Sequence, residues 1–191
     1  MSTTISTAVI LGSTREGRLG DKVAAWLTAE LRRRPHFTAD LIDPLDFDLP
    51  TRHGAGPHPG LVALRQRLGQ AEGFLVVVPE YNHGYPAALK FLIDSVGEPW
   101  QAKPVAFVSY GGISGGLRAV EQLRQVFAEL HAVTIRSSVS FAGAWNRFDA
   151  EGGLRDPESV HGLEAMLKQL HWWALALREA RSRRPYGEVA R

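Results

Sequence analysis

The sequence predicts an α/β protein: one doubly wound, five-stranded parallel sheet with helices on both faces. Three observations carry this. Short apolar runs and helical apolar periods alternate about five times along the chain, and right-handed crossovers turn such an alternation into a parallel sheet. The 191 residues suit one full core rather than two. Three of the strand-like runs end in loops rich in glycine, hydroxyl and small residues: 12–18 (GSTREGR), 79–86 (PEYNHGYP) and 109–116 (SYGGISGG). In open α/β sheets such loops gather at the carboxyl edge of the strands, where ligands bind. Five strands suit the flavodoxin-like order 2-1-3-4-5.

Each element has its own signal. Residues 7–11 (TAVIL) are a compact apolar run, as in a strand buried on both faces. From Leu19 onward, Val23, Ala24, Trp26, Leu27 and Leu31 return at helical spacing. Arg32, Arg33 and Arg34 complement the end of that helix and Pro35 stops it. Residues 37–42 alternate as a second strand, and 44–60, with His53 and His58 among several Pro and Gly, read as a surface loop. A helix over 61–71 leads into the clearest strand, 74–78 (FLVVV). Pro86 suits the first turn of a helix running to Val96. Residues 105–108 form a fourth strand, 114–131 a helix and 133–139 a fifth strand. A loop-like stretch over 140–156 precedes a closing helix over 157–183, and 185–191 are expected to form a loose tail of the single domain.

Composition narrows the function. With no cysteine there are no disulfides, thiolate metal sites or Cys nucleophiles, as in a reducing cytoplasm. No signal peptide and no run of about 20 apolar residues is visible, so no membrane partner is expected. A formal charge of +2 gives little field for nucleic acid, and Arg178, Arg181, Arg183, Arg184 and Arg191 read as a solvated helix face and tail. No metal is assigned, because His83 has no second ligand-type residue at a suitable spacing.

The loops carry the chemistry. The first opens a helix, whose free amides and positive dipole end attract phosphate. Gly12 and Gly17 permit close backbone approach, Ser13 and Thr14 bring hydroxyls, and Arg15 and Arg18 bring charge-assisted bonds. The loop lacks both a Walker lysine and a G-x-G-x-x-G fingerprint. Asn82 and Gly84 in the second loop accept positive φ, so a tight turn can present backbone groups edge-on to a planar ring beside Glu80, Tyr81 and Tyr85. A hairpin-tight connector with Glu80 paired to a helix arginine is the structural alternative. His83 is either a substrate contact or an exposed polar residue. The third loop holds four glycines, a costly concentration unless close backbone approach is needed. Together the loops suit a flat, phosphorylated cofactor, with flavin mononucleotide (FMN) the best fit.

These residues resemble the NAD(P)H-dependent FMN reductases of the flavodoxin-like superfamily, which include quinone, azo and chromate reductases. The resemblance covers nearly the whole chain. Its specific parts are residues 11–15 (LGSTR) with Arg18, residues 79–82 (PEYN) continuing through 85–90 (YPAALK), and Lys103-Pro104 leading into 109–112 (SYGG). It implies that Ser13, Arg15, Arg18, Leu19 and Gly20 hold the FMN phosphate. It implies too that Pro79, Glu80, Tyr81 and Asn82 line the ring near its reactive nitrogen, while Ser109, Tyr110, Gly111 and Gly112 border the other edge. One departure is Phe91, where relatives often carry Asn after the Leu-Lys pair.

The implied activity is hydride transfer from NADPH or NADH to bound FMN, then to a quinone, azo compound, free flavin or metal oxyanion. No catalytic side chain is assigned, because the protein supplies position and ring electronics. The resemblance also implies homodimers, in some relatives paired into tetramers, with the helix over 86–96 as an interface element. Two alternatives stand: a flavodoxin-like electron carrier without NAD(P)H oxidation, which near-neutral charge disfavours, and a non-catalytic phosphate-ligand module.

Overall fold

Alternating residues of the central strands feed two separate hydrophobic layers, one on each face of the sheet. In the computed structural model, which describes residues 2–52, 57–149, 152–154 and 157–189, five strands form one parallel sheet. They are β1 (Ile5–Leu11), β2 (Phe37–Ile42), β3 (Gly73–Pro79), β4 (Pro104–Gly111) and β5 (Val133–Ala142), ordered β2-β1-β3-β4-β5. The helices are α1 (Gly20–Arg32), α2 (Pro59–Gln70), α3 (Ala87–Asp94), α4 (Leu117–Glu129) and α5 (Pro157–Arg183). This is the expected fold. His53 and Arg191 lie outside the described residues.

Successive strand residues point to opposite faces. Ala8 and Ile10 of β1, with Phe74, Val76 and Val78 of β3, pack against Leu64 and Leu68 of α2, Leu89 and Leu92 of α3, and Phe127 of α4. Val9, Leu11, Leu75 and Val77 pack instead against Val23, Leu27 and Leu31 of α1 and Leu163, Met166 and Leu170 of α5. Trp100 is fully buried between Phe74 and Phe127, with its indole N–H donated to the Val96 carbonyl at 2.8 Å.

Differences from the sequence reading fall at element ends. The fourth helix starts at Leu117 rather than at residue 114, because Gly115 and Gly116 take φ of 61° and 89°, outside the right-handed helix. The fifth strand runs on to Ala142, and Ser140 and Ala142 pair with Ser109 and Gly111 of β4. α3 ends at Asp94, with Pro86 as its N-cap. Beyond α5, Tyr186–Glu188 forms a 3-10 turn whose Tyr186 hydroxyl lies 3.1 Å from His131 Nδ1.

Candidate functional site

The first loop leaves β1 at Gly12, whose amide donates to the Val77 carbonyl at 2.8 Å. A Cβ there would stand 2.9 Å from that carbonyl oxygen, so only glycine lets the chain pass so close over β3. Ser13 is buried, its hydroxyl 2.6 Å from that of Tyr81 and accepting from the Arg15 amide at 3.3 Å. The Arg15 guanidinium lies 3.8 Å above the Tyr81 ring centre, a cation–π contact. At the start of α1, Leu19 supplies no side-chain cap, and among the described residues the amides of Glu16, Gly17 and Leu19 meet no acceptor. A helix start with unclaimed amides attracts anions.

Arg18 behaves differently from Arg15. Its side chain is only 8% exposed and grips both carboxylate oxygens of Asp43, just beyond β2. Its Nε donates to Asp21 at 2.7 Å and its Nη1 to the Ser13 carbonyl at 2.5 Å. The hydrogen bond to Asp43 is the main cause that raises the Arg18 pKa well above its ordinary value. Burial pushes Asp43 the other way, up, but the bonds from Arg18 and the Leu45 amide outweigh it and hold the carboxyl below its usual range.

The second loop is a tight turn in which Tyr81 and Gly84 exchange backbone hydrogen bonds. Its two central residues, Asn82 and His83, have φ of 52° and 67°. Positive φ at both central positions is the requirement of a type I′ turn. It therefore falls on Asn82 and His83, not on Gly84 as expected. Gln122 of α4 pins the turn by donating to the His83 carbonyl at 3.0 Å. Glu80, ahead of the turn, accepts from the Ser114 hydroxyl at 2.7 Å, the Arg118 amide at 3.2 Å and the Arg118 Nε at 2.6 Å. Burial would raise the Glu80 pKa, but these bonds overcome it and lower it. The carboxylate thus ties loop two to loop three, as in the structural alternative.

The third loop is closed from below. Ser109 and Ser140 both donate to the Gly115 carbonyl, at 2.8 and 2.9 Å. A fourth segment joins it: the Gly143 amide donates to the Gly112 carbonyl at 2.9 Å, which sets Trp145 at the rim.

These segments enclose a cleft of about 340 Å³, inside the range of roughly 300–1,000 Å³ that ligand pockets occupy. Among the residues singled out from the sequence, Arg15, Arg18, Leu19, Pro79, Glu80, Tyr81, Tyr110, Gly111 and Gly112 line it. Ser13, Gly20, Asn82 and Ser109 do not. Ser13 lies beneath Tyr81, Gly20 against Tyr110, Asn82 in the turn, and Ser109 under Gly115. His83 faces a separate shallow depression with Arg118 and Gln122. Gly17, read from the sequence as permitting close backbone approach, lines it too, while the side chains of Glu16 and Trp145 were missed. The available signal for Trp145 was an aromatic residue two positions past Gly143, within the stretch read as loop-like after the fifth strand.

One buried polar atom remains poorly satisfied at this edge. Among the described residues the Tyr110 hydroxyl has no partner at full hydrogen-bond geometry, the Gly20 amide making only a weak approach to it, and a Cβ on Gly20 would come within 2.7 Å of it. Burial raises the pKa of this phenol far above its ordinary value, so it stays a neutral donor. A cation resting on an aromatic face, amides at a helix start that meet no acceptor among the described residues, and a buried, poorly satisfied phenol on a glycine-lined slot fit a planar ligand with a phosphate tail. A larger depression of about 430 Å³ at the opposite end of the sheet contains Lys103 and Arg181. Lys103 there caps α2 through the Leu68 and Gly69 carbonyls at 3.2 and 3.0 Å. Among the described residues no three His, Asp or Glu side chains converge as a metal site, and no helix is long and apolar enough to cross a membrane.

Residues 5–146 match the family described as NADPH-dependent FMN reductase. An NAD(P)H-dependent FMN reductase of Schizosaccharomyces pombe is 35% identical over 127 residues, 62% of this chain and 63% of its own length. The match thus spans less than two thirds of that relative. An NAD(P)H:quinone oxidoreductase of Solanum tuberosum is 37% identical over 146 residues, 72% of this chain and 74% of that one. In three dimensions the chain resembles the flavoenzyme NAD(P)H:(acceptor) oxidoreductase FerB of Paracoccus denitrificans, with a TM-score of 0.75 at 21% identity. That likeness covers 91% of this chain and 98% of that one.

Proposed function

Because the chain belongs to the NADPH-dependent FMN reductase family, we propose that its cleft holds FMN and that the protein passes reducing equivalents from NAD(P)H to a small acceptor. A quinone is the favoured acceptor, since the potato relative is named for one. Azo compounds, free flavin and metal oxyanions are further candidates. The observation that carries the reading is the buried, poorly satisfied Tyr110 hydroxyl beside the unclaimed amides and Arg15 at one cleft.

Bound FMN would supply the hydride-accepting and hydride-donating chemistry that no side chain here offers. The protein's share is placement. Arg15 and the amides of Glu16, Gly17 and Leu19 would hold the phosphate. The Tyr110 phenol is the neutral donor at the start of α1. Pro79, Tyr81, Gly111 and Gly112 would border the ring. The Glu80 bridge to Ser114 and Arg118 keeps the second and third loops at a fixed separation, so a planar group enters a slot that is already shaped. Trp145, exposed at the mouth, offers an aromatic face to an incoming ring. The working unit of the proposal is a homodimer or a pair of dimers in the cytoplasm.

An absorption spectrum after mixing with FMN and gel filtration tests the first half. The expected outcome is a retained flavin band and steady NADPH or NADH oxidation once a quinone is added. Retained flavin without nucleotide oxidation would replace the reductase with a single-electron carrier. No retained flavin at all would sink the cofactor.

A further inference from the structure

We infer that Arg18 is a positioning residue that shapes the phosphate loop through Asp43, and that Arg15 is the loop's cation for the phosphate itself. This rests on the FMN reading above. A guanidinium has five N–H groups. Arg18 commits one to Asp21, one to the Ser13 carbonyl and two to the Asp43 carboxylate. Asp43 is itself anchored, accepting from the Leu45 amide at 3.0 Å. Its side chain is 16% exposed. Turning Arg18 toward a phosphate would leave that carboxylate unpaired, partly buried and facing a dianion, which is costly on every count. Among the described residues the Arg15 side chain has only the Tyr81 ring to give up.

What the lock does is geometric. The Ser13 carbonyl, held by Arg18, cannot turn its negative end toward the phosphate. On this account Asp43 tightens FMN binding although it is an anion next to an anion site. Coulomb's law alone predicts the reverse, because removing Asp43 would release Arg18 and lift a repulsion. The sign of one substitution therefore separates the two roles.

The experiment is FMN titration by fluorescence quenching across a salt series, with the melting of the flavin-free protein followed in parallel. Asp43→Asn is expected to weaken FMN binding about tenfold, as when the partner that orients a ligating group is lost. Arg18→Gln is expected to match it, and the double variant to be no weaker than either, because one lock has been opened twice. The salt dependence of affinity should persist in Arg18→Gln and shrink in Arg15→Ala. Arg18→Lys keeps the charge but not the fork. It should fail to rescue binding and should shift the phosphorus resonance of bound FMN. Asp21→Asn, at an exposed partner, should change little. The assignment is overturned if Asp43→Asn binds FMN as tightly as wild type or tighter, or if Arg18→Lys restores wild-type affinity. Should Asp43→Asn not fold, the Arg18→Lys arm decides alone. Wild-type protein that fails to bind FMN overturns the cofactor reading and this assignment together; wild type that binds while Asp43→Asn binds equally overturns the assignment alone.

Discussion

The hydroxyls of Ser13 and Tyr81 meet 2.6 Å apart, joining a loop that leaves β1 to a turn that leaves β3. Above that joint lies the guanidinium of Arg15, so one phenol ties down the first loop by its oxygen and the loop's cation by its face. Tyr81→Phe keeps the ring and deletes the bond. A net hydrogen bond is worth about 1 kcal/mol, so FMN affinity should fall by roughly fivefold with the fold intact. Titration of the variant checks this, and an unchanged Kd would mean the joint does not shape the site.

Arg15→Ala should cost more. Hydrogen bonds to charged groups contribute about 1.5–3 kcal/mol, which corresponds to a loss of FMN affinity of roughly 10- to 150-fold. The flavin-free protein should melt as wild type does, because Arg15 is exposed and its ring contact is weak. A large drop in melting temperature would mark Arg15 as structural instead.

Acid should loosen the rim before the core. Glu80 titrates below its ordinary 4.5 and Asp43 below its ordinary 3.8 in the folded protein. A carboxyl depressed by folding contributes stability above its unfolded pKa, and that contribution drains away as pH falls through the folded value. Both contributions are therefore complete at neutral pH and decline below about pH 4.5. Urea midpoints measured from pH 6 down to pH 3 should show a shallower acid limb in Glu80→Gln than in wild type. Parallel limbs would remove Glu80 from this role.

Two glycines of the third loop should answer differently to alanine. Gly116 has φ of 89°, and a Cβ there would lie 2.8 Å from that of Ser109. Gly116→Ala should destabilise by about 1–3 kcal/mol, the usual cost of a non-glycine residue held in the left-handed region. At Gly112 a Cβ would meet only Trp145, at 3.9 Å. Gly112→Ala should melt as wild type does but bind FMN less tightly, because the methyl enters the slot. Thermal melts beside FMN titrations separate the two, and equal effects on both would contradict the cleft described above.

Trp145 is the tryptophan that lines the cleft, and it is 67% exposed. FMN should quench part of the protein's tryptophan emission, and Trp145→Phe should remove most of the quenchable part. Quenching that survives the substitution would place the flavin elsewhere.

Periodicity was enough to read the strands and helices of the sheet, and the strand count then pointed to its order. Leu, Val and Ile runs of strand length, separated by helical apolar spacing, leave few ways to bury both faces. The clustering of the glycine-rich loops at one rim followed from that topology, and most of the residues named from those loops do line one cleft. Element ends were less legible, because residues 114–116 read as helix while Gly115 and Gly116 sit at positive φ.

What the amino-acid sequence by itself determined is the alternation, the layers and the three loops, because local spacing and the burial of apolar surface act over a few residues at a time. Only the tertiary structure decided the partners. Arg18 meets Asp43 across 25 positions and Glu80 meets Arg118 across 38, while Trp145 arrives from beyond β5. A charged side chain's role depends on which opposite charge the folded chain brings within reach. The same arginine in the same motif is a ligand when its neighbour is solvent and a brace when its neighbour is a half-buried carboxylate.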